Sequence, residues 1–307
     1  MIKKLIASLI AATALVFIAN AQENSFKSRF SASADWKIAK GLHLETGYEL
    51  RTKDSWNGIE RHMVNVGMSY KVCKFLKVGA DYDFIGHYNS ASVFKPRHRF
   101  GAEVTGTVDA GNWRFSFRER LQFTHKSYGV NRYQEARNDF DLKSRAKVAY
   151  RGLKNWEPYA YVEIRNTFNA ASFNASYDSA SASYSDYEFL GYNDAYVNRV
   201  RGAVGVEWKI NDHHGIDFKL MQDWEKDKEI DTNKEGTKLK AYAVEKSFNT
   251  ILAIGYCFPF SPPRRRKTQT TMSWKTSAFQ DIVVSSDFVQ IKTFSGGQAV
   301  IFPICPG

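Results

Sequence analysis

The sequence predicts an all-β fold, a single up-and-down antiparallel barrel of about 10–12 strands, on three observations. After Gln22 the chain settles into segments of about 11 to 14 residues in which apolar and polar side chains alternate. On a pleated strand that period of two sends one set of side chains to each face. The segments exceed the five or six residues usual in soluble sheets and are long enough for a tilted strand to cross a bilayer. Aromatic residues recur near segment ends, at Trp36, Tyr70, Trp113, Tyr150, Trp208 and Trp224, as interfacial girdles require. Connections alternate in length: short at 39–41, 109–111, 151–155 and 211–212, long at 88–95, 125–138, 169–193 and 226–237. Short periplasmic turns and long outer loops are the asymmetry of outer-membrane barrels.

The N-terminus reads as a secretory signal. Lys3 and Lys4 precede the uncharged, mostly apolar run Leu5 to Ala19, and Ala19-Asn20-Ala21 is an A-x-A cleavage site. The run falls short of the roughly 20 residues of a membrane-spanning helix. The expected division is a signal peptide at 1–21, a barrel at 22–258 and a non-barrel tail at 259–307.

Eleven segments read as strands, near 26–38, 42–53, 61–72, 75–87, 96–108, 112–124, 139–150, 157–168, 196–210, 213–225 and 241–258. The sixth is the clearest. Trp113, Phe115, Phe117, Leu121 and Phe123 alternate with Arg114, Ser116, Arg118, Arg120 and Gln122. An even count is expected when both termini lie in the periplasm. Either a strand hides in the Ser/Tyr-rich stretch 170–192, or the last segment is two strands, or the first is misassigned; twelve strands are expected over ten. That stretch reads otherwise as a flexible loop or a tyrosine-bearing binding loop.

The last segment, FNTILAIGYCF, ends on Phe258 as a closing strand with a terminal aromatic residue. Pro259, Pro262 and Pro263 then break the pattern, and Arg264 to Lys267 form a charge block. The tail reads as an extraneous extension, with a periplasmic appendage as the competing reading. The stretch from Asn24 to Phe258 resembles the outer-membrane barrels catalogued as domain of unknown function 2490. The resemblance is carried by AKGLHLETGYELR, SYKVCKFLKVGADYDFI, RHRFGAEVTGTVDAGNWRFSFRERLQF, WEPYAYVEI, NRVRGAVGVEWKINDHHGIDF and ILAIGYCF. These are strand and turn patterns rather than active-site motifs. The resemblance implies an outer-membrane location and no established activity.

Net charge is +11, of which the signal peptide carries +2 and the tail +4, so the barrel is only moderately basic. Mean hydropathy of −0.43 excludes a bundle of apolar helices but suits a barrel, where only alternate residues face lipid. Cys73, Cys257 and Cys305 lack the spacing of a disulfide scaffold or zinc site. If the apolar face points outward, the lumen receives Arg97, Arg99, Glu103, Arg114, Arg118, Arg120, Arg145, Glu163, Arg165, Arg199, Arg201 and Glu207. Lys143, Asp81, Asp83, Asp139, Asp141, Asp217 and Asp223 join them. Two readings stand: an arginine-lined constriction favouring small anionic or phosphorylated solutes, or a salt-bridge network filling a narrow barrel. The function expected is thus a narrow passive channel or a largely plugged structural or binding barrel.

The alternative is an outer-membrane lipid hydrolase, which needs a nucleophile, a histidine base and an orienting group. His125 and Ser127 are its nearest approach, with no third partner, and neighbouring His213 and His214 point to opposite faces. No cofactor or metal is expected. The expected partners are outer-membrane lipids, the barrel-assembly machinery and small anionic solutes, with no nucleic acid.

Overall fold

Alternation at this length closes the chain on itself. The computed structural model describes residues 24–89, 91–211 and 213–260, together with the paired two-residue strands Val284–Ser285 and Phe288–Val289. The expected signal peptide, and the Arg264 to Lys267 cluster and Cys305 of the tail, lie outside the described residues. The barrel strands are β1 (Asn24–Ala39), β2 (Leu42–Thr52), β3 (Ile59–Lys71), β4 (Leu76–Tyr88), β5 (Phe94–Ala110) and β6 (Trp113–Lys126). They continue with β7 (Asn138–Tyr150), β8 (Trp156–Asp178), β9 (Ser183–Asn211), β10 (His214–Thr232) and β11 (Leu239–Phe260). Each pairs with its sequence neighbours, and β1 meets β11 to close the ring.

Among the described residues the barrel has eleven strands rather than the expected twelve, and closure is not wholly antiparallel. With eleven strands, β1 and β11 run the same way and pair in parallel from Asn24↔Phe248 to Trp36↔Phe260. The two ends of the barrel therefore lie at opposite rims, Asn24 at the long-connection rim and Phe260 at the short-turn rim. The Ser/Tyr-rich stretch is neither a loop nor a crossing strand. It lengthens β8 and β9 into a hairpin, closed at 179–182 and paired out to Asp178↔Ser183. Residues 226–232, also expected in a loop, prolong β10 against β11. Pro259 sits opposite Asp35 within the parallel pair, so the barrel reaches two residues past Phe258.

The apolar set faces outward: Val66, Phe117 and Leu121 are about half exposed, at 48%, 54% and 51%. Aromatic pairs mark the short-turn rim, with the Trp156 and Trp208 rings stacked at 5.2 Å and Trp113 against Tyr150 at 4.9 Å. Tyr88 against Phe94, at 5.5 Å, marks the other. Glu119 interrupts the outer face and accepts a hydrogen bond from Ser144 Oγ at 2.8 Å. Cys73 and Cys257 are free thiols.

Inside, toward the short turns, Ala149, Tyr159, Tyr161, Ala203, Met221, Ile251 and Ala253 form a buried apolar patch. Tyr159 lies over its cross-strand neighbour Gly205 and donates to Asp217 at 2.6 Å. A Cβ at Gly205 would stand 2.6 Å from that ring and 2.8 Å from the Phe218 carbonyl oxygen, whereas one at Gly202 meets nothing within 4 Å. Gly205→Ala is therefore expected to cost about 1–3 kcal/mol through overpacking, while Gly202→Ala stays near neutral. Urea unfolding in detergent micelles reads both; equal midpoints would refute the tyrosine–glycine packing.

Candidate functional site

Strand register stacks the inward side chains into rows that circle the lumen. One row, read from β6 to β11, is Arg118, Arg145, Glu163, Arg201, Asp223 and Asn249. Its two carboxylates are almost fully buried, Glu163 at 1% and Asp223 at 1% exposure. Glu163 accepts from Arg145 Nε at 2.8 Å and Arg199 Nη2 at 2.8 Å, with Arg118 at 3.4 Å. Asp223 is held bidentately by Arg201, both contacts at 2.5 Å, with Arg29 and Arg199 at 3.9 Å. Charge-assisted, forked pairs of this kind are the strong class of hydrogen bond.

A second cluster faces it from β4 and β5. Asp81 receives Arg120 Nη2 at 2.5 Å, with Asp83 and Glu103 also within 4.0 Å of Arg120. Asp83 lies 3.9 Å from Arg99 and accepts from Asn65 at 2.5 Å. Gly101 lets Asp81 lean across, since a Cβ there would stand 2.5 Å from its carboxylate.

Between the clusters remains a cavity of about 500 Å³ to which all eleven strands contribute, lined by thirteen Lys and Arg side chains against six Asp and Glu. Nine of the twelve sequence candidates line it: Arg99, Glu103, Arg118, Arg120, Arg145, Glu163, Arg165, Arg199 and Arg201. The other three do not. Arg114 is held by Asp109 at 2.6 Å beside a short turn, and Glu207 takes Lys147 at 3.0 Å. Arg97 sits against the Tyr128 ring near the long-connection rim. Their parity puts them on the inner face, but their height takes them away from the cavity. The sequence candidates omit Arg29, Glu49, Arg51 and Arg61, which line it from β1–β3. The same alternation reaches them, since Arg29 is out of phase with Phe26 and Phe30.

The residues considered for a hydrolase are not assembled into a relay. His125 Nδ1 pairs with Asn138 Oδ1 at 2.8 Å, and the Ser127 amide donates to the Pro96 carbonyl at 3.0 Å. His213 N donates to Asn211 Oδ1 at 2.8 Å in the turn, and His214 pairs with Tyr256. Among the described residues no group of three His, Cys, Asp or Glu is placed to hold a metal ion.

The 127–137 connection reaches toward β9 and β10 at the long-connection rim. Gln134 Nε2 donates to Asp231 at 2.6 Å, Tyr192 OH donates to the Arg132 carbonyl at 2.8 Å, and Tyr133 packs on Phe189. At its base Lys126 holds Glu135 and Asp139, each at 2.9 Å. Burial pushes the Tyr128 hydroxyl up to about 12. Burial also raises the Glu135 carboxyl, but the Lys126 charge and hydrogen bonds from Lys126 and Tyr128 outweigh it and leave it below its ordinary value.

A depressed carboxyl stabilises fully above its unfolded pKa, here 4.5, and less as pH falls through the folded one. A spin label at Gly129 is expected to gain mobility on acidification below about pH 4.5, and Glu135→Gln to abolish that step; an unchanged step in the variant would refute the clamp. In the lumen, Glu163→Gln is expected to cost about 3–5 kcal/mol, because it strands buried guanidinium groups. Adding Arg145→Met should recover part of that loss in a double-mutant cycle read by urea midpoints. Strict additivity would contradict the coupling.

A comparison with curated proteins finds no match to this chain. A family model described as protein of unknown function (DUF2490) matches residues 30–234.

Proposed function

The chain belongs to the DUF2490 family, and from that premise and the lumen's geometry we propose a barrel of the bacterial outer membrane, nearly closed by its own salt bridges and admitting only small anions. The outward apolar face, aromatic rims and alternating connection lengths support the location. A signal peptide at 1–21 would deliver the chain there.

One observation carries the reading of the interior. The row Arg118–Arg145–Glu163–Arg201–Asp223 spans five of the eleven strands with its charges tied to one another, so that wall of the lumen is held by its own ion pairs and narrows the passage beside the cavity. Barrels near eight strands fill with their own side chains; eleven strands make a wider tube, and the cavity of about 500 Å³ is the space its side chains leave. The basic excess around the remaining cavity sets the sign of what can enter, since Lys and Arg rings exclude cations. The function is passive, a restricted anion path through a largely plugged structural barrel.

The full chain, extracted from outer-membrane fractions, is expected to show a heat-dependent gel shift and, in planar bilayers, small conductance steps with anion preference. Glu163→Gln with Asp223→Asn, which unties the row, is expected to enlarge the steps. Recovery in the soluble fraction, or wide cation-selective steps in the wild-type protein, would overturn the proposal.

A further inference from the structure

One row nearer the long connections, register sets Arg120, Lys143, Arg165 and Arg199 as direct cross-strand neighbours on β6, β7, β8 and β9. Four basic side chains in sequence is the opposite of what a sheet wants, since like charges directly opposite destabilise a pair. The ends of the row are compensated. Arg120 has Asp81 at 2.5 Å, and Arg199 has Glu163 at 2.8 Å and Glu225 at 3.7 Å.

The centre is not. Arg165 comes only within 3.9 Å of Glu225. Among the described residues Lys143 has no hydrogen bond and no ion pair within 4.0 Å; the charges acting on it are Arg199, Arg99, Glu163 and Arg165. Glu163 is already shared by Arg145, Arg199 and Arg118. The Nε donors of Arg120, Arg165 and Arg199 are each buried without an acceptor, and Arg199 is only 5% exposed. A buried donor left unmade costs about 1–3 kcal/mol; those Nε atoms are themselves closed off from solvent, and it is the four side chains as wholes that border the cavity.

We infer that this row is a binding site for a small multivalent oxyanion of the phosphate class, either inorganic phosphate or the phosphate of a monoester. Four basic side chains around one cavity, with Lys143 and Arg165 the least compensated, suit a partner with several oxygens and at least two negative charges. A halide supplies charge without enough acceptors, and a single carboxylate supplies one acceptor edge. Arg presents its donors in a fork and Lys as a mobile point charge, the combination that grips a tetrahedral oxyanion. The remaining cavity leaves room for the organic part of an ester. The inference rests on the lumen being open to small anions as proposed above, but it is read by binding rather than by conductance.

The test is calorimetry on the detergent-solubilised full chain, after its gel shift shows a closed barrel, with inorganic phosphate and glycerol phosphate at constant ionic strength. Saturable binding near one equivalent is expected, with sulfate competing and chloride not. Lys143→Met and Arg165→Met should each weaken binding at least tenfold, whereas Arg114→Met, on the rim, leaves it unchanged. Binding of both probes marks a free-phosphate site; binding of glycerol phosphate alone marks a site for esters, as in a lipid headgroup. A second readout guards against misfolding. Without phosphate, Lys143→Met relieves repulsion and should unfold at a higher urea concentration than wild type; with saturating phosphate the order should reverse. No saturable heat in the folded barrel, or equal binding by the Lys143 and Arg114 variants, would overturn the site. A protein that conducts anions without binding phosphate sinks this site alone, and one that binds but never conducts sinks the channel reading alone.

Discussion

A guanidinium turned into a closed tube loses most of its water, and the tube can repay it only with carboxylates and carbonyl oxygens. Glu163 and Asp223 are the groups on which this interior therefore depends. Between them they gather Arg118, Arg145, Arg199, Arg201 and Arg29, from β6, β7, β9 and β1. The reach of Arg29 is structurally useful. It approaches Asp223 on β10 from β1, past β11, so an ion pair straddles the parallel seam. Parallel pairing is slightly weaker per residue than antiparallel, and the side-chain bond from Ser25 to Asn249 adds a second strap across the same joint.

The seam also shows where the sequence stops being legible. Alternation of side chains reports which face a residue takes, and from it the outward Phe115, Phe117 and Leu121 and the inward Arg118 and Arg120 could be read without coordinates. Strand direction at closure leaves no such mark, because parallel and antiparallel ladders differ in backbone hydrogen bonds and not in period. The even count was expected from both termini lying at the periplasmic rim, and nothing in the alternation spoke against it. The hairpin of β8 and β9 was obscured differently. Past Thr167 the register slips repeatedly, and each slip of one residue exchanges the faces, so no clean period of two survives in 169–193. Its order comes from contacts across the rim, Phe173 on Tyr242 and Phe189 on Tyr133, which no local pattern announces.

Height along the tube was the other missing coordinate. Arg97, Arg114 and Glu207 share the inward parity of Arg99, Arg118 and Arg201, yet they sit near the rims on Tyr128, Asp109 and Lys147. Only the stagger of each strand against the next says which inward residues meet at one level, and stagger is fixed by turns and bulges spread over the whole chain.

That stagger also decides where the empty space lies. The cavity wall from β1 to β4 includes Ser31, Ser33, Gly47, Gly67, Ser69 and Gly79, while β6 to β9 contribute Arg118, Arg120, Lys143, Arg145, Arg165, Arg199 and Arg201. The β1 to β4 side also carries Arg29, Glu45, Glu49, Arg51, Arg61, Lys77, Asp81 and Asp83, and of the six carboxylates on the wall only Glu163 stands on β6 to β9. A plug that merely filled the tube would set more carboxylates among Arg120, Lys143, Arg165 and Arg199 and cancel their repulsion. Instead the smallest side chains line the same space as the least compensated charges. Uncancelled charge and unfilled volume at one place are two costs, and a mobile anion removes both, whereas water fills the volume and leaves the charge.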